Sequence, residues 1–361
     1  MKVKLAKITD KYLILILCYF LSILKIFKAK KKIKNIAIIR FWSLGESILT
    51  LPMIKRIKEK YPNSKITVIC TTQNKILFEN QEFIDEIKTF NLKLFLMFKK
   101  FDLAIDTEPF MNLGSFFSFW LAKNSIGYKQ KKAAFLYTKK IKFNDKIHSA
   151  DNFIKLTNTL KVPQDKLTEL TELNPGNDSI NWANSKVLKK PLIGLCITTG
   201  GTGTSRRWPM NKWLELSKEL IKKYNPTFII IGSPSEKDII ESFQKKLNYL
   251  NTANTTNIEL KKTLALTSKL NLMISSDTGP MHIAAAQGTP TIGLFCPNTP
   301  VRFAPLGKKN SYVYKPILSK PCINVHEYKI PNCKNHPHMK NIQVEDVIKE
   351  VNKLNKKWKI L

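Results

Sequence analysis

Short apolar runs recur along the chain, each closed by glycine, proline, asparagine or small hydroxyl residues. In the first half they fall at 35–41, 65–70, 101–106 and 125–128, and in the second at 191–197, 228–232, 270–274 and 291–295. Continuous apolarity over such short lengths predicts buried strands. Between them the pattern is helical: from the loop Trp42–Ser47 to about Tyr61, over 148–160, over 213–224, over 260–270, over 281–287 and over 342–358. Strand, tight loop, helix and strand in succession make a βαβ unit, and both halves of the chain are built this way. The stretch 163–190 carries Pro, Asn, Gly and Lys with little periodicity, which predicts a connection between domains. The organisation expected is a leading segment 1–34, an N-terminal domain 35–180, a second domain 190–340 and a closing helix 341–361.

The leading segment differs in kind. Tyr12–Leu24 is apolar and interrupted only by Ser22, and Lys25, Lys28, Lys30, Lys31, Lys32 and Lys34 follow it. The run is short of the roughly 20 residues needed to cross hydrocarbon, and no small-residue cleavage site follows. It predicts a helix lying on the cytoplasmic face of a membrane, with a basic skirt against anionic lipid. A helix packed on the N-terminal domain is the alternative, and a single-pass anchor a third.

Composition adds a constraint on partners. The chain has 361 residues, 43% of them hydrophobic, which suits about two globular domains and excludes a disordered chain. Its formal net charge of +33 favours anionic partners: nucleic acid, anionic lipid or phosphorylated substrates. No nucleic-acid module is visible. The six cysteines are scattered without a C-x-x-C pair, as in a reducing cytosol. Cys322, His326, Cys333, His336 and His338 are of zinc-binding types, but their spacing matches no standard zinc motif, so no metal is expected.

The chemistry concentrates in the loops after strands. The run 270–274 ends in Ser275-Ser276-Asp277-Thr278-Gly279, and Pro280 suits the first helical position with Thr278 or Gly279 as cap. A helix N-terminus at such a turn suits a phosphate, and Asp277 and His282 flank it; an ordinary capped turn is the alternative. After 191–197 comes Thr198-Thr199-Gly200-Gly201-Thr202-Gly203-Thr204-Ser205-Arg206-Arg207-Trp208-Pro209, rich in backbone and hydroxyl donors and carrying arginines suited to phosphate. Glu46 follows the first strand and reads, from its place alone, as a carboxylate that complements the helix dipole. Asp106 ends its strand on the side where α/β sheets bind ligands.

Two of these stretches resemble one family. D-T-G-P-x-H-x-A-A-A at 277–286, followed by G-x-P-x-x-x-L-F and a proline-rich loop, is similar to the C-terminal signature of glycosyltransferase family 9, the lipopolysaccharide heptosyltransferases and their relatives. The stretch 36–70 resembles the family's N-terminal motif, with Glu46 where the family has Asp. The resemblance covers about 35–340. It implies an α/β protein of GT-B architecture, two Rossmann-like domains, with the apolar and basic helix in front. It implies that Asp277, Thr278, Gly279 and His282 line the donor diphosphate and sugar. It implies that Thr199 and Arg206 belong to a donor-phosphate loop, Arg206 standing where the family has Lys, and that Glu236 contacts the donor ribose. Glu46 is implied as the base, with Arg40 and Asp106 on the acceptor side. The implied reaction is inverting, metal-independent transfer of heptose from ADP-heptose to a lipopolysaccharide core, without a cofactor, by a peripheral enzyme on the inner face of the inner membrane. Three rivals stand beside it. One is a family member using another nucleotide sugar. Another is a nicotinamide-dependent oxidoreductase, against which the missing G-x-G-x-x-G after the first strand argues. The third is a non-catalytic basic protein of membrane surfaces.

Overall fold

The computed structural model describes residues 8–24, 33–186, 188–200, 203–317, 322–323 and 337–361. The chain divides into two compact units, the first running to Lys166 and the second from Leu167. The division falls inside the stretch read as a connection, and the helix at 177–184 goes with the second unit.

In the first unit six parallel strands stand in the order β3-β2-β1-β4-β5-β6. They are β1 (Asn35–Arg40), β2 (Lys65–Cys70), β3 (Glu86–Thr89), β4 (Phe101–Asp106), β5 (Ala122–Tyr128) and β6 (Lys139–Ile141). Helices α1 (Leu15–Ser22), α2 (Leu44–Lys60), α3 (Asn112–Leu121) and α4 (Ser149–Lys155) belong to the same unit. β1 and β4 are almost wholly buried, as the unbroken apolar runs require.

The second unit repeats the plan. Its strands are β7 (Leu192–Cys196), β8 (Thr227–Ile230), β9 (Thr252–Asn254), β10 (Leu272–Ser276), β11 (Thr291–Phe295) and β12 (Ser311–Tyr314). They stand in the order β9-β8-β7-β10-β11-β12, again all parallel. Its helices are α5 (Asn177–Asn184), α6 (Met210–Tyr224), α7 (Lys237–Leu247), α8 (Leu260–Thr267), α9 (Gly279–Ala286), α10 (Pro300–Phe303), α11 (Pro337–Lys340) and α12 (Val344–Trp358). Each sheet therefore starts in its middle, grows to one edge and returns to grow to the other. The crevice where the order reverses, between β1 and β4 or between β7 and β10, is where such sheets bind ligands.

α12 belongs to the second unit. Val344, Val347, Val351 and Leu354 are buried in one cluster with Trp213 and Leu216 of α6. Trp208 Nε1 and Lys212 Nζ also donate to the Ile342 carbonyl just before it.

α1 is amphipathic in use. Cys18 is buried in a cluster with Phe116 and Phe117 of α3, while Tyr12, Leu13, Ile16, Tyr19, Phe20 and Ile23 are exposed. Asp10, just ahead, caps α3 across the fold: its carboxylate accepts the backbone N–H groups of Asn112 at 3.0 Å and Leu113 at 2.8 Å. The segment expected to lie on a membrane thus packs on the first unit with one face and shows its other face to solvent. Among the described residues no helix is long and apolar enough to cross a membrane. The lysines at 25–32 lie outside the described residues.

Candidate active site

At the first reversal point, β1 ends in Arg40 and β4 in Asp106, and both side chains are completely buried. Arg40 makes three kinds of contact. Its NH1 donates to the Thr107 carbonyl and its NH2 to the Trp42 carbonyl. NH2 also pairs with Glu46 Oε2 at 2.7 Å. On its far side stands Glu108, with Oε1 at 3.8 Å from Arg40 Nε. Glu108 Oε1 accepts the N–H groups of Phe41 and Trp42, so the carboxylate grips the turn that leads to Glu46. Burial pushes the Glu108 carboxyl up, Arg40 pulls it down, and Asp106 and Glu46 raise it again, leaving it above its ordinary value.

Asp106 is held as firmly. It accepts from Lys131 Nζ and Tyr137 Oη, both buried, and from the Glu108 N–H at 2.9 Å. α3 comes this close because residue 114 is glycine; a Cβ there would stand 2.4 Å from Asp106 Oδ1. Arg40 and Asp106 were expected to face an acceptor. Their side chains have no exposed surface, so they act from beneath as a scaffold. Glu46 is different: its side chain keeps 13% of its surface open and sits in the first turn of α2. Ser43 caps that helix by accepting the Glu46 N–H, and holds φ = +66° to do so. A non-glycine residue in that conformation is strained, and such strain gathers at functional loops.

At the second reversal point, the loop after β7 meets the turn after β10. Arg206 NH1 donates to the Asp277 carbonyl at 2.6 Å and to Asp277 Oδ2 at 3.3 Å. Asp277 Oδ2 also accepts from Asn298 Nδ2 at 2.7 Å, and Asn298 Oδ1 accepts from Arg302 NH2 at 3.1 Å. Asp277 and Arg302 are buried, whereas the Arg206 side chain is 24% exposed. Among the described residues, only NH1 of its guanidinium has a partner. Gly203 makes room for it, since a Cβ there would stand 2.6 Å from Arg206 NH2.

α9 begins at Gly279 with Thr278 as its N-cap residue, whose own side chain makes no capping hydrogen bond. His282 lies buried in its first turn. Thr199 Oγ1 donates to the Gly203 carbonyl and closes the glycine-rich loop. Glu236, expected at a donor ribose, is buried and occupied: it accepts from the Gly200 N–H at 2.9 Å and from the Ser233 N–H and hydroxyl. Burial alone would raise its carboxyl, but these hydrogen bonds outweigh it and hold it below its usual range. Arg302 NH2 donates to Asn298 Oδ1 and to the Ile323 carbonyl.

Of the metal-capable cluster, His326, Cys333 and His336 lie outside the described residues, while Cys322 Sγ stands 3.4 Å from His338 Nε2. No group of three or more candidate metal ligands occurs among the described residues.

Two parallel sheets of the same strand order, with charged residues at both reversal points, define a protein of GT-B architecture. The chain belongs to glycosyltransferase family 9 (heptosyltransferase), whose model matches residues 90–329. It is 26% identical over 344 residues to the lipopolysaccharide core heptosyltransferase OpsX of Haemophilus influenzae, which covers 89% of this chain and 97% of the relative. Among solved structures, the family 9 glycosyltransferase of Veillonella parvula superposes with a TM-score of 0.74 at 20% identity over 90% of this chain and 97% of the other. The ADP-heptose LPS heptosyltransferase II of Escherichia coli does so at 0.71 and 18%, over 90% and 99%. At those identities the structures speak for the fold.

Proposed function

We propose that this glycosyltransferase moves heptose from ADP-heptose to a lipopolysaccharide core acceptor, with inversion at the anomeric carbon. The observation that carries the donor half is Arg206, held by Asp277 two residues ahead of the start of α9, with the rest of its guanidinium unpaired among the described residues. A nucleoside diphosphate brings the negative charge this arrangement lacks. Glu46 takes the proton of the acceptor hydroxyl. The acceptor oxygen bonds to the anomeric carbon as the bond from that carbon to the β-phosphate oxygen breaks. The electron pair leaves with ADP, whose new charge is met by Arg206 and the helix end. Because those groups supply positive charge, the reading includes transfer without a divalent ion. Arg40 and Glu108 hold the base, and Glu236 and Thr199 hold the loop that carries Arg206. The enzyme works as a peripheral protein on the cytoplasmic face of the inner membrane, where its acceptor is lipid-linked.

The test is ADP release from ADP-heptose with a heptose-deficient lipopolysaccharide acceptor, with UDP- and GDP-sugars in parallel and with EDTA added. Transfer from ADP-heptose alone, unaffected by EDTA and giving the opposite anomeric configuration by NMR, is expected. Preference for a UDP- or GDP-sugar removes the heptose donor from the reading, and a retained configuration removes Glu46 as a direct base.

A further inference from the structure

The stretch Phe90–Lys100 is FNLKLFLMFKK. Its short helical turn, Leu92–Leu96, buries only Leu94. Leu92 is 82% and Leu96 78% exposed, and Phe90, Phe95 and Phe98 are exposed as well. A folded chain seldom leaves so many large apolar groups adjacent in water unless they meet something.

These side chains do not dangle. The Phe95 ring packs edge-on against Phe116, Phe117 and Trp120 of α3, and Phe98 against Trp120. Trp120 Nε1 donates to the Phe95 carbonyl at 3.0 Å. The same helix, α3, carries α1 on its surface through Cys18. Two elements that expose leucine, isoleucine and aromatic rings thus rest on one floor.

Charge says what covers them. No Asp or Glu occurs from 87 to 101 or from 11 to 45, whereas Lys93 and Lys100 flank the turn and are exposed, as is Lys11 beside α1. Aromatic and leucine side chains set among lysines without carboxylates match the interface of an anionic bilayer.

We propose that Phe90–Phe98 is a second membrane-inserting element, acting with the exposed face of α1 to seat the first unit on anionic lipid. The proposal rests on the peripheral membrane location given above and deepens it, since two insertion points fix an orientation where one only tethers. Binding by both is more than additive, because the second contact forms at high local concentration once the first is made.

The experiment uses the full chain and vesicles of phosphatidylcholine and phosphatidylglycerol at 3:1. Wild type should sediment with them and be released by salt. Leu92→Ser with Leu96→Ser should weaken partitioning about tenfold or more, as should Phe20→Ser with Ile23→Ser. The four side chains are exposed, so melting by circular dichroism should be unchanged. A tryptophan placed as Leu96→Trp should be quenched by brominated phospholipid. Wild-type partitioning by the 92/96 variant, or an unquenched Leu96→Trp, overturns the proposal and leaves α1 as the sole contact. Failure of wild type to bind these vesicles overturns both the proposal and the membrane location, while sugar transfer is judged separately by ADP release. A fall in mass by light scattering in the 92/96 variant without lipid also overturns it, in favour of a second copy of the chain.

Discussion

The two reversal points share a topology and differ in how charge is kept. In the first unit, Arg40, Asp106, Glu108 and Lys131 are buried and held by one another or by backbone, with Arg40 Nε and Glu108 Oε2 left without a hydrogen-bond partner among the described residues, while the Glu46 side chain keeps 13% of its surface open. In the second, the buried part is smaller and its task is to hold out one cation. Asp277, itself held by Asn298, fixes Arg206, whose side chain is 24% exposed. One site is built from its own side chains and backbone, as the proton transfer proposed for Glu46 requires. On the function proposed above, the other takes up and gives back a diphosphate in every cycle.

The largest effect should come from breaking the first site. Glu46→Gln keeps the shape of the side chain and removes the base, so kcat should fall by about 10²- to 10⁴-fold. ADP affinity, measured by calorimetry, should stay near wild type. Unchanged turnover would return Glu46 to the role of a helix-terminal carboxylate. Arg206→Ala should do the reverse. ADP binding should weaken about 10- to 100-fold, the scale of a charged hydrogen-bonded contact. Glu46 and its surroundings are untouched, so the pH profile of kcat should keep its shape. Equal ADP affinity in the variant would show that the guanidinium points at nothing.

The smallest effect sharpens the contrast between pre-built and ligand-built charge. The folded state raises the Glu108 carboxyl above its ordinary 4.5, so it binds a proton more tightly than the unfolded chain does. Its contribution to stability is full at low pH and is lost as pH rises through the folded value. Glu108→Gln does not titrate, and its amide can still accept the Phe41 and Trp42 N–H groups. Its melting temperature relative to wild type should therefore improve as pH rises above about 4.5, by about 2–4 °C per kcal/mol for a unit of this size. A difference that is flat from pH 4 to 8, by calorimetry, would mean that Arg40 holds Glu108 ionised throughout.

The central strands of both sheets were legible because burial on two faces leaves an unbroken apolar run. The missed strands are β3, β6, β9 and β12, the outer strand on each side of each sheet. Their residues alternate or are half-exposed, such as Lys139-Lys140-Ile141 and Thr252-Ala253-Asn254, so nothing in the pattern separates them from loops. The turn chemistry at 277–282 and 198–206 was visible for a related reason: glycine, proline and hydroxyl residues mark backbone that a ligand can approach. The partners behind those loops were not visible. Asn298 lies 21 residues from Asp277, and Lys131 lies 25 from Asp106. Only the fold brings each pair together. Glu108 could have been found, since it follows β4 by two residues, where strand ends carry function in such sheets. The resemblance and the place of Arg40 and Asp106 at strand ends do not distinguish a side chain in the crevice from one beneath it.

The contact between Asp10 and α3 has a practical consequence for anyone shortening the gene. A cut at the start of β1 looks natural, because it removes an oily, lysine-flanked stretch and promises a better-behaved protein. It would also strip the N-cap from a helix whose first residues lie 102 and 103 positions away, at a cost of about 1 kcal/mol, and leave the hole now filled by Cys18. A truncated protein that expresses poorly would then report a damaged interior. A soluble version is better sought by changing Phe20 and Ile23 to polar residues while Asp10 and Cys18 stay in place.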